Sequence, residues 1–285
     1  SYKMFINFFS NKVFENTKNY YAVSNKDSRV SFKKYINILK KFNLYYKISK
    51  IKFPETSNLI LTKEKILNYF KFKKILKKKL KKSNVKTYLN KELKKNDLHN
   101  YDKVIICTYS SNNQIIEKLG ISKNLNKHRY ELIEKILIKL PKKYKNKSYI
   151  ILDGKFVCVD PFLSTNYHLL SDNKNSKIEI SQGYSPKFKN NKKKYLTKGF
   201  LKNKKISNFS KFIENGSKYL SFLNHAKFVS SVFIIRTLEL KKEKTDQRTN
   251  YVNFVNEKFI TVLSGKWNPS VGVAKEIFKK INEKK

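Results

Sequence analysis

Apolar positions recur along this chain at two spacings, which separate expected helices from expected strands. Residues 35–42 follow a helical repeat. A second helix is expected to open at Thr62, a capping side chain, with Ile66, Phe70, Leu76 and Leu80 returning near helical spacing. Lys77, Lys78, Lys79, Lys81 and Lys82 fill its solvated face. Ser83-Asn84 ends it, and Val85-Lys86-Thr87-Tyr88-Leu89 reads as a strand. Lys103-Val104-Ile105-Ile106-Cys107 is a continuous apolar run of the kind buried in a parallel sheet. A further helix is expected over Glu131 to Lys139, stopping before Pro141.

Beyond Pro141 the pattern turns to strands. Ser148–Leu152 and Lys155–Val159 flank Asp153-Gly154, a pair that tolerates the positive φ of a tight turn, so 148–159 is an expected hairpin. Residues 181–206, with Lys187, Lys189, Lys192, Lys193 and Lys194, read as an exposed basic loop. A helix over 208–222 and a strand over 228–235 follow. Strands at 251–255 and 259–263 lead into a last helix with Val273, Ile277 and Ile281 on one face. Asn268 suits its N-cap and Pro269 its first turn. The Ser264-Gly265-Lys266 turn before it brings free N–H groups and the positive end of the helix dipole to one spot, which favours an anion. Helices and strands in this order fit a mixed α/β fold, with one core or two intertwined ones in 285 residues.

The formal charge of +43 changes the picture less than its size suggests. A basic surface is the usual footprint of a polyanion partner. Yet of 64 basic residues only Arg29, Arg129, Arg236 and Arg248 are arginine, the side chain suited to phosphate and base edges. The lysines are spread through every segment among Asn, Ile, Phe and Tyr, residues with AT-rich codons, so base composition accounts for the pattern. With 21 Phe and 18 Tyr the chain is not of the disordered class. Two distant cysteines, Cys107 and Cys158, form no disulfide framework and read as inert core thiols in a reducing compartment. Neither a membrane-length apolar run nor a signal sequence is visible, so a cytoplasmic location is expected. His99, His128 and His225 have no partner at metal-ligand spacing, and no metal is expected.

Several segments together resemble the FAD-dependent oxidoreductases of the D-amino-acid-oxidase type. Tyr101-Asp102-Lys103-Val104-Ile105-Ile106-Cys107-Thr108-Tyr109-Ser110 is similar to that family's strand beside the flavin, with Tyr109 where the family carries glycine. The helix from Thr62 and the Val85 strand resemble the segment that contacts the adenosine end of FAD. Residues 153–162 resemble substrate-domain strands, and Thr245-Asp246-Gln247-Arg248 with the strand at Phe259 and Ser264-Gly265-Lys266 resembles the closing part of the fold. The resemblance implies FAD-binding sheet segments at 59–110 and 236–285, interleaved with an antiparallel-sheet substrate domain at 1–58 and 111–235. It implies FAD contacts at Val85, Thr108, Tyr109, Gly265, Lys266, Asn268 and Ser270. The helix beginning near Asn268 would face the flavin ring. None of the seven glycines (120, 154, 183, 199, 216, 265, 272) forms the Gly-x-Gly-x-x-Gly turn that holds the pyrophosphate, so an N-terminal truncation and poor FAD binding by this chain are expected.

The implied reaction is oxidation of an amine, amino acid or related small molecule, with the flavin performing the hydride chemistry. Arg236, at the end of an apolar strand, could hold a substrate carboxylate; a salt bridge to Glu239 or Asp246 is the alternative. Tyr167 and His168, after the Asp160-Pro161 turn, are further catalytic candidates beside a purely structural role. Two other functions stay open: a lysine-rich protein binding RNA or single-stranded nucleic acid, and a catalytically dead relative. Substrate, electron acceptor and oligomeric state are not legible.

Overall fold

The computed structural model describes residues 1–121, 125–152, 157–240 and 250–283. Helix α1 (Tyr2–Phe9) leads into strands β1 (Phe14–Asn16) and β2 (Lys18–Val23). Helix α2 (Phe32–Lys41) is capped by Ser31, whose hydroxyl accepts the Lys34 N–H, and strands β3 (Tyr46–Ile48), β4 (Ile60–Thr62) and β5 (Lys65–Leu67) follow. Helix α3 (Tyr69–Lys82) then runs out to the surface. Strand β6 (Val104–Ile106) and helix α4 (Asn112–Lys118) precede the long strand β7 (His128–Lys139). Strands β8 (Lys147–Leu152), β9 (Val157–Phe162) and β10 (Tyr167–Asp172) form a meander, and β11 (Lys177–Gly183) follows. Helix α5 (Phe209–Gly216), strands β12 (Lys227–Glu239), β13 (Asn250–Phe254) and β14 (Phe259–Ser264), and helix α6 (Ser270–Asn282) complete the order.

The mixed α/β expectation holds: a nine-stranded sheet stands beside a three-stranded one and a two-stranded ribbon. β7 organises the large sheet. One edge pairs with β12 along its whole length, and the other is shared between β11 and β10. The sheet continues through β9, β8, β2, β4 and β3, with β2 and β8 parallel and the other pairs antiparallel. In the small sheet β14 lies between β13, antiparallel, and β6, parallel.

Period-two alternation decides which face of the large sheet is covered. Tyr20, Ala22, Ile136, Ile138, Tyr149, Ile151, Val157, Val159 and Leu170 pack against Phe209, Phe212, Leu220, Phe222 and Leu223 from α5 and the turn after it. Each large apolar side chain so buried contributes about 1.5–3 kcal/mol. A second core joins α1, α3 and α6 through Phe5, Phe9, Val13, Phe14 and Val271.

Several expected elements are corrected. Glu131 to Lys139 is strand, not helix. The two glutamates three apart imitate a helical stripe, but both are buried in a central strand whose two faces are covered, so no alternation is visible. Thr62 closes β4 rather than opening a helix. The cap of α3 is Asn68, whose side chain accepts the N–H groups of Phe70 and Lys71. Val85–Leu89 forms no strand: it follows α3 with Val85, Tyr88 and Leu89 exposed, because no neighbouring strand pairs with it. The 181–206 stretch is stitched to β12 by bridges at Leu196–Phe233 and Leu201–Ser231, with Phe188 buried. Cys107 is exposed beyond the end of β6 and so is not a core thiol. The hairpin is present as β8 and β9, while its Asp153-Gly154 turn lies outside the described residues, as does the Thr245–Arg248 segment.

Candidate functional site

Parallel strands end their dipoles and their turns on the same side, and in α/β sheets ligands sit outside those carboxyl ends. Here the parallel pair is β6 and β14, in register from Phe259–Val104 to Thr261–Ile106. β6 runs into Thr108 and Tyr109, and β14 runs into Ser264, Gly265 and Lys266 before α6.

Asn112, buried at the start of α4, fixes this end of the sheet. Its carbonyl oxygen accepts the Thr108 N–H at 2.8 Å and hydroxyl at 2.9 Å, while its amide donates to the Val262 carbonyl at 2.8 Å. Asn113 beside it donates to the carbonyls of Asn126 and Tyr184, at 2.8 and 2.7 Å. Neither asparagine stood out in the sequence. The available signal was only the polar run Ser110-Ser111-Asn112-Asn113 directly after an apolar strand.

Tyr109 holds a left-handed φ of 56°, a conformation that costs a residue with a Cβ about 1–2 kcal/mol. Its hydroxyl accepts the Thr237 N–H at 3.0 Å and donates to the Thr237 carbonyl at 3.3 Å, so it bolts the small sheet to β12. The residue before Thr237 in β12 is Arg236. Its Nε donates to Glu131 Oε2 at 2.7 Å, and its Nη2 binds the same oxygen. Arg129 Nη2 lies 2.9 Å from the other oxygen, Glu131 Oε1. Glu131 is 1% exposed. One buried carboxylate therefore faces two guanidinium groups. Arg236 forms a salt bridge with Glu131 on the neighbouring strand, not one of the two expected partners Glu239 and Asp246, the second of which lies outside the described residues. His128, at the start of β7, has its pKa lowered by burial, with Glu239 acting in the opposite sense.

The β14–α6 junction supplies the second half of the site. α6 opens at Ser270 after Pro269, one residue later than expected, and no side chain caps it; Asn268 is not the cap. Trp267 packs on Phe5 and Phe14 at ring separations of 4.7 and 5.6 Å, which ties the turn to the α1 core. Gly265, Lys266, Asn268 and Ser270 thus lie on the same carboxyl end of the small sheet as Thr108 and Tyr109.

The other candidates fall elsewhere. Tyr167 and His168 sit in β10, where His168 is opposite Ile138, whereas Arg236 is opposite Glu131. Along β7 these positions are roughly 20 Å or more apart at strand rise. His168 is 3% exposed on the face packed by α5, with Nε2 3.1 Å from the Tyr144 carbonyl. Its pKa is lowered, mainly by burial. Tyr167 points to the opposite face by strand alternation. Val85 is in an exposed stretch away from both sheets. Cys158 donates to Asp160 Oδ2 at 3.0 Å, and burial pushes its thiol well up, which leaves it unreactive. A depression bounded by Glu179, Lys189, Asn190 and Asn191 lies at β11 and contains none of the expected site residues.

The fold has solved counterparts. Glycine oxidase from Geobacillus kaustophilus superposes with a TM-score of 0.57 at 8% identity, over 95% of this chain and 71% of that one. L-proline dehydrogenase from P. horikoshii gives 0.57 at 11%, over 95% and 72%. The glycerol-3-phosphate dehydrogenase of Bacillus halodurans, solved in complex with FAD, gives 0.51 at 11%, over 99% of this chain and 54% of that one. No protein-family model matches the sequence, and no curated protein does.

Proposed function

We propose that this chain acts as an FAD-dependent oxidoreductase on a small amine or amino acid. One observation carries the reading: the carboxyl ends of the parallel pair β6/β14 abut the two-arginine end of β7/β12, in a fold shared with glycine oxidase and L-proline dehydrogenase. That arrangement would set a flavin held at the β6/β14 turns beside Arg236 as an anion anchor.

The residues fit one end of the cofactor. The uncapped start of α6 leaves first-turn N–H groups free for an electron-rich ring edge, with Lys266 adding positive charge and Thr108, Gly265, Asn268 and Ser270 around it. They do not fit the other end, because these 285 residues contain no glycine turn for a pyrophosphate. When bound, the flavin would accept a hydride from the carbon bearing the substrate nitrogen.

The protein's own groups orient and exclude. Glu131 takes the Nε and Nη2 edge of Arg236 and so fixes its guanidinium plane, leaving the other edge of Arg236 to hold a substrate carboxylate. Tyr109 spends its hydroxyl on Thr237, so it positions rather than carries a proton, and its ring fills space that a glycine would leave to the cofactor. Tyr167 and His168 are too far from Arg236 along β7 to act on the same small substrate. The fold lends no support to the nucleic-acid reading.

The test is binding. FAD titrated into the purified protein should perturb the flavin spectrum weakly and saturably, and Lys266→Glu should weaken it further. Absence of any spectral change for the native sequence would remove the proposal.

A further inference from the structure

Helix α3 carries eight lysines in fourteen residues and no acidic residue: Tyr69-Phe70-Lys71-Phe72-Lys73-Lys74-Ile75-Leu76-Lys77-Lys78-Lys79-Leu80-Lys81-Lys82. Its apolar side is already used. Phe72, Ile75 and Leu76 pack on Phe5 and Phe9 of α1, with Phe72 ring separations of 5.8 and 5.0 Å. The two helices are thereby locked together, and what they present outward is fixed.

What they present is unusual for a solvated face. α1 turns Tyr2, Met4 and Phe8 to solvent, at 41%, 37% and 49% exposure. Lys79 of α3 lies over the Phe8 ring with its Nζ 4.3 Å from the centroid. The lysines and the exposed rings therefore belong to one surface. α6, packed against α1, adds Phe278 at 72% exposure and Lys275, while its Lys279 and Lys280 pair with Glu283 and Glu276. Base composition can scatter lysines along a chain, but it does not gather exposed apolar side chains beside them.

We propose that the α1–α3 face is a docking surface for an anionic lipid bilayer. Lysine ammonium groups bind lipid phosphates as point charges, while Phe, Tyr and Met side chains enter the headgroup region. No helix among the described residues is long and apolar enough to cross a membrane, so the contact lies in the interfacial plane. A single-stranded nucleic acid would match the charge, but neither α1 nor α3 contains an arginine, and Met4 offers no stacking surface.

The chain carries one tryptophan, Trp267, packed against Phe5 of α1, which makes the face its own reporter. The experiment is co-sedimentation of the full chain with phosphatidylcholine vesicles, with and without phosphatidylglycerol, together with quenching of Trp267 by brominated lipid. Binding and quenching are expected only with phosphatidylglycerol. Replacing Lys77, Lys78, Lys81 and Lys82 by glutamine should weaken binding by about a thousandfold, from the contribution each surface lysine makes near an anionic leaflet. Replacing Lys142, Lys145, Lys198 and Lys202, which are exposed elsewhere, should weaken it less than about threefold by loss of net charge alone. Phe8→Ser should reduce quenching while leaving circular dichroism unchanged. Equal losses in the two lysine sets, or binding without phosphatidylglycerol, would overturn the proposal. So would a single-stranded RNA gel shift abolished by the α3 set while vesicle binding persists.

Discussion

Tyr109 and Thr237 are joined by two hydrogen bonds although 128 residues separate them, the phenol accepting one backbone N–H and donating to one carbonyl. The same tyrosine sits at φ 56°, where glycine is favoured. Strain and bond oppose each other at a single residue. Tyr109→Phe keeps the strain and loses the bonds, so it should be destabilised by about 1–3 kcal/mol in urea denaturation. Tyr109→Gly relieves the strain and clears the ring, and it should bind FAD more tightly than the native chain. Unchanged affinity in Tyr109→Gly would mean that the ring does not fill the cofactor's space.

Glu131 pairs with both Arg129 and Arg236. Glu131→Gln removes the charge between two partly buried guanidinium groups, and such uncompensated burial costs about 3–5 kcal/mol. Arg236→Ala leaves the Arg129 pair in place and should cost less. The order of the two denaturation midpoints checks the claim, and a reversed order would show that Arg129 does not engage the carboxylate in solution.

Much of the small sheet was legible in the sequence. β6 and β14 are short apolar runs bounded by polar turns, and α6 announced itself through Asn268-Pro269 and its spaced valine and isoleucines. The large sheet was harder, because its central strand β7 is buried on both faces and places Glu131 and Glu134 inside. Glu134 is satisfied there by the hydroxyls of Ser207 and Ser231, partners 73 and 97 residues away. Arg236 lies within β12 rather than at its end, and its partner Glu131 comes from across the sheet, which spacing along the chain cannot reveal. Asn112 and Asn113 escaped for the same reason: their bonds reach Val262 and Tyr184.

A half-buried and a buried histidine, His128 and His168, set the response to mild acid. Burial lowers the pKa of His128 and His168 in the folded chain below the unfolded value of about 6.5. Near pH 8 both states are neutral at these sites and the histidines contribute no pH dependence. As pH falls through about 6.5 the unfolded chain takes up protons that the folded chain refuses, so stability declines until the folded pKa is passed. Denaturation midpoints between pH 7.5 and pH 5.5, values chosen to bracket about 6.5, should fall, and His168→Gln should flatten the slope. An unchanged slope would place the proton uptake elsewhere.

Asn112→Ala should loosen the β6 end specifically. It leaves the Thr108 N–H and the Val262 carbonyl without their partner, a loss of about 2–4 kcal/mol for two groups. Hydrogen exchange should accelerate at residues 104–108 and 261–263 before it does in β7. Uniform acceleration across both sheets would show instead that the sheets unfold as one unit.

The central claim is that the junction of β6, β14 and β12 is a flavin site. The most direct measurement is the visible absorbance of the protein purified from its natural reading frame, followed anaerobically as small amino acids such as glycine and proline are added. A yellow flavin spectrum bleached by one of them is the predicted result. A colourless protein that FAD cannot reconstitute would contradict the account.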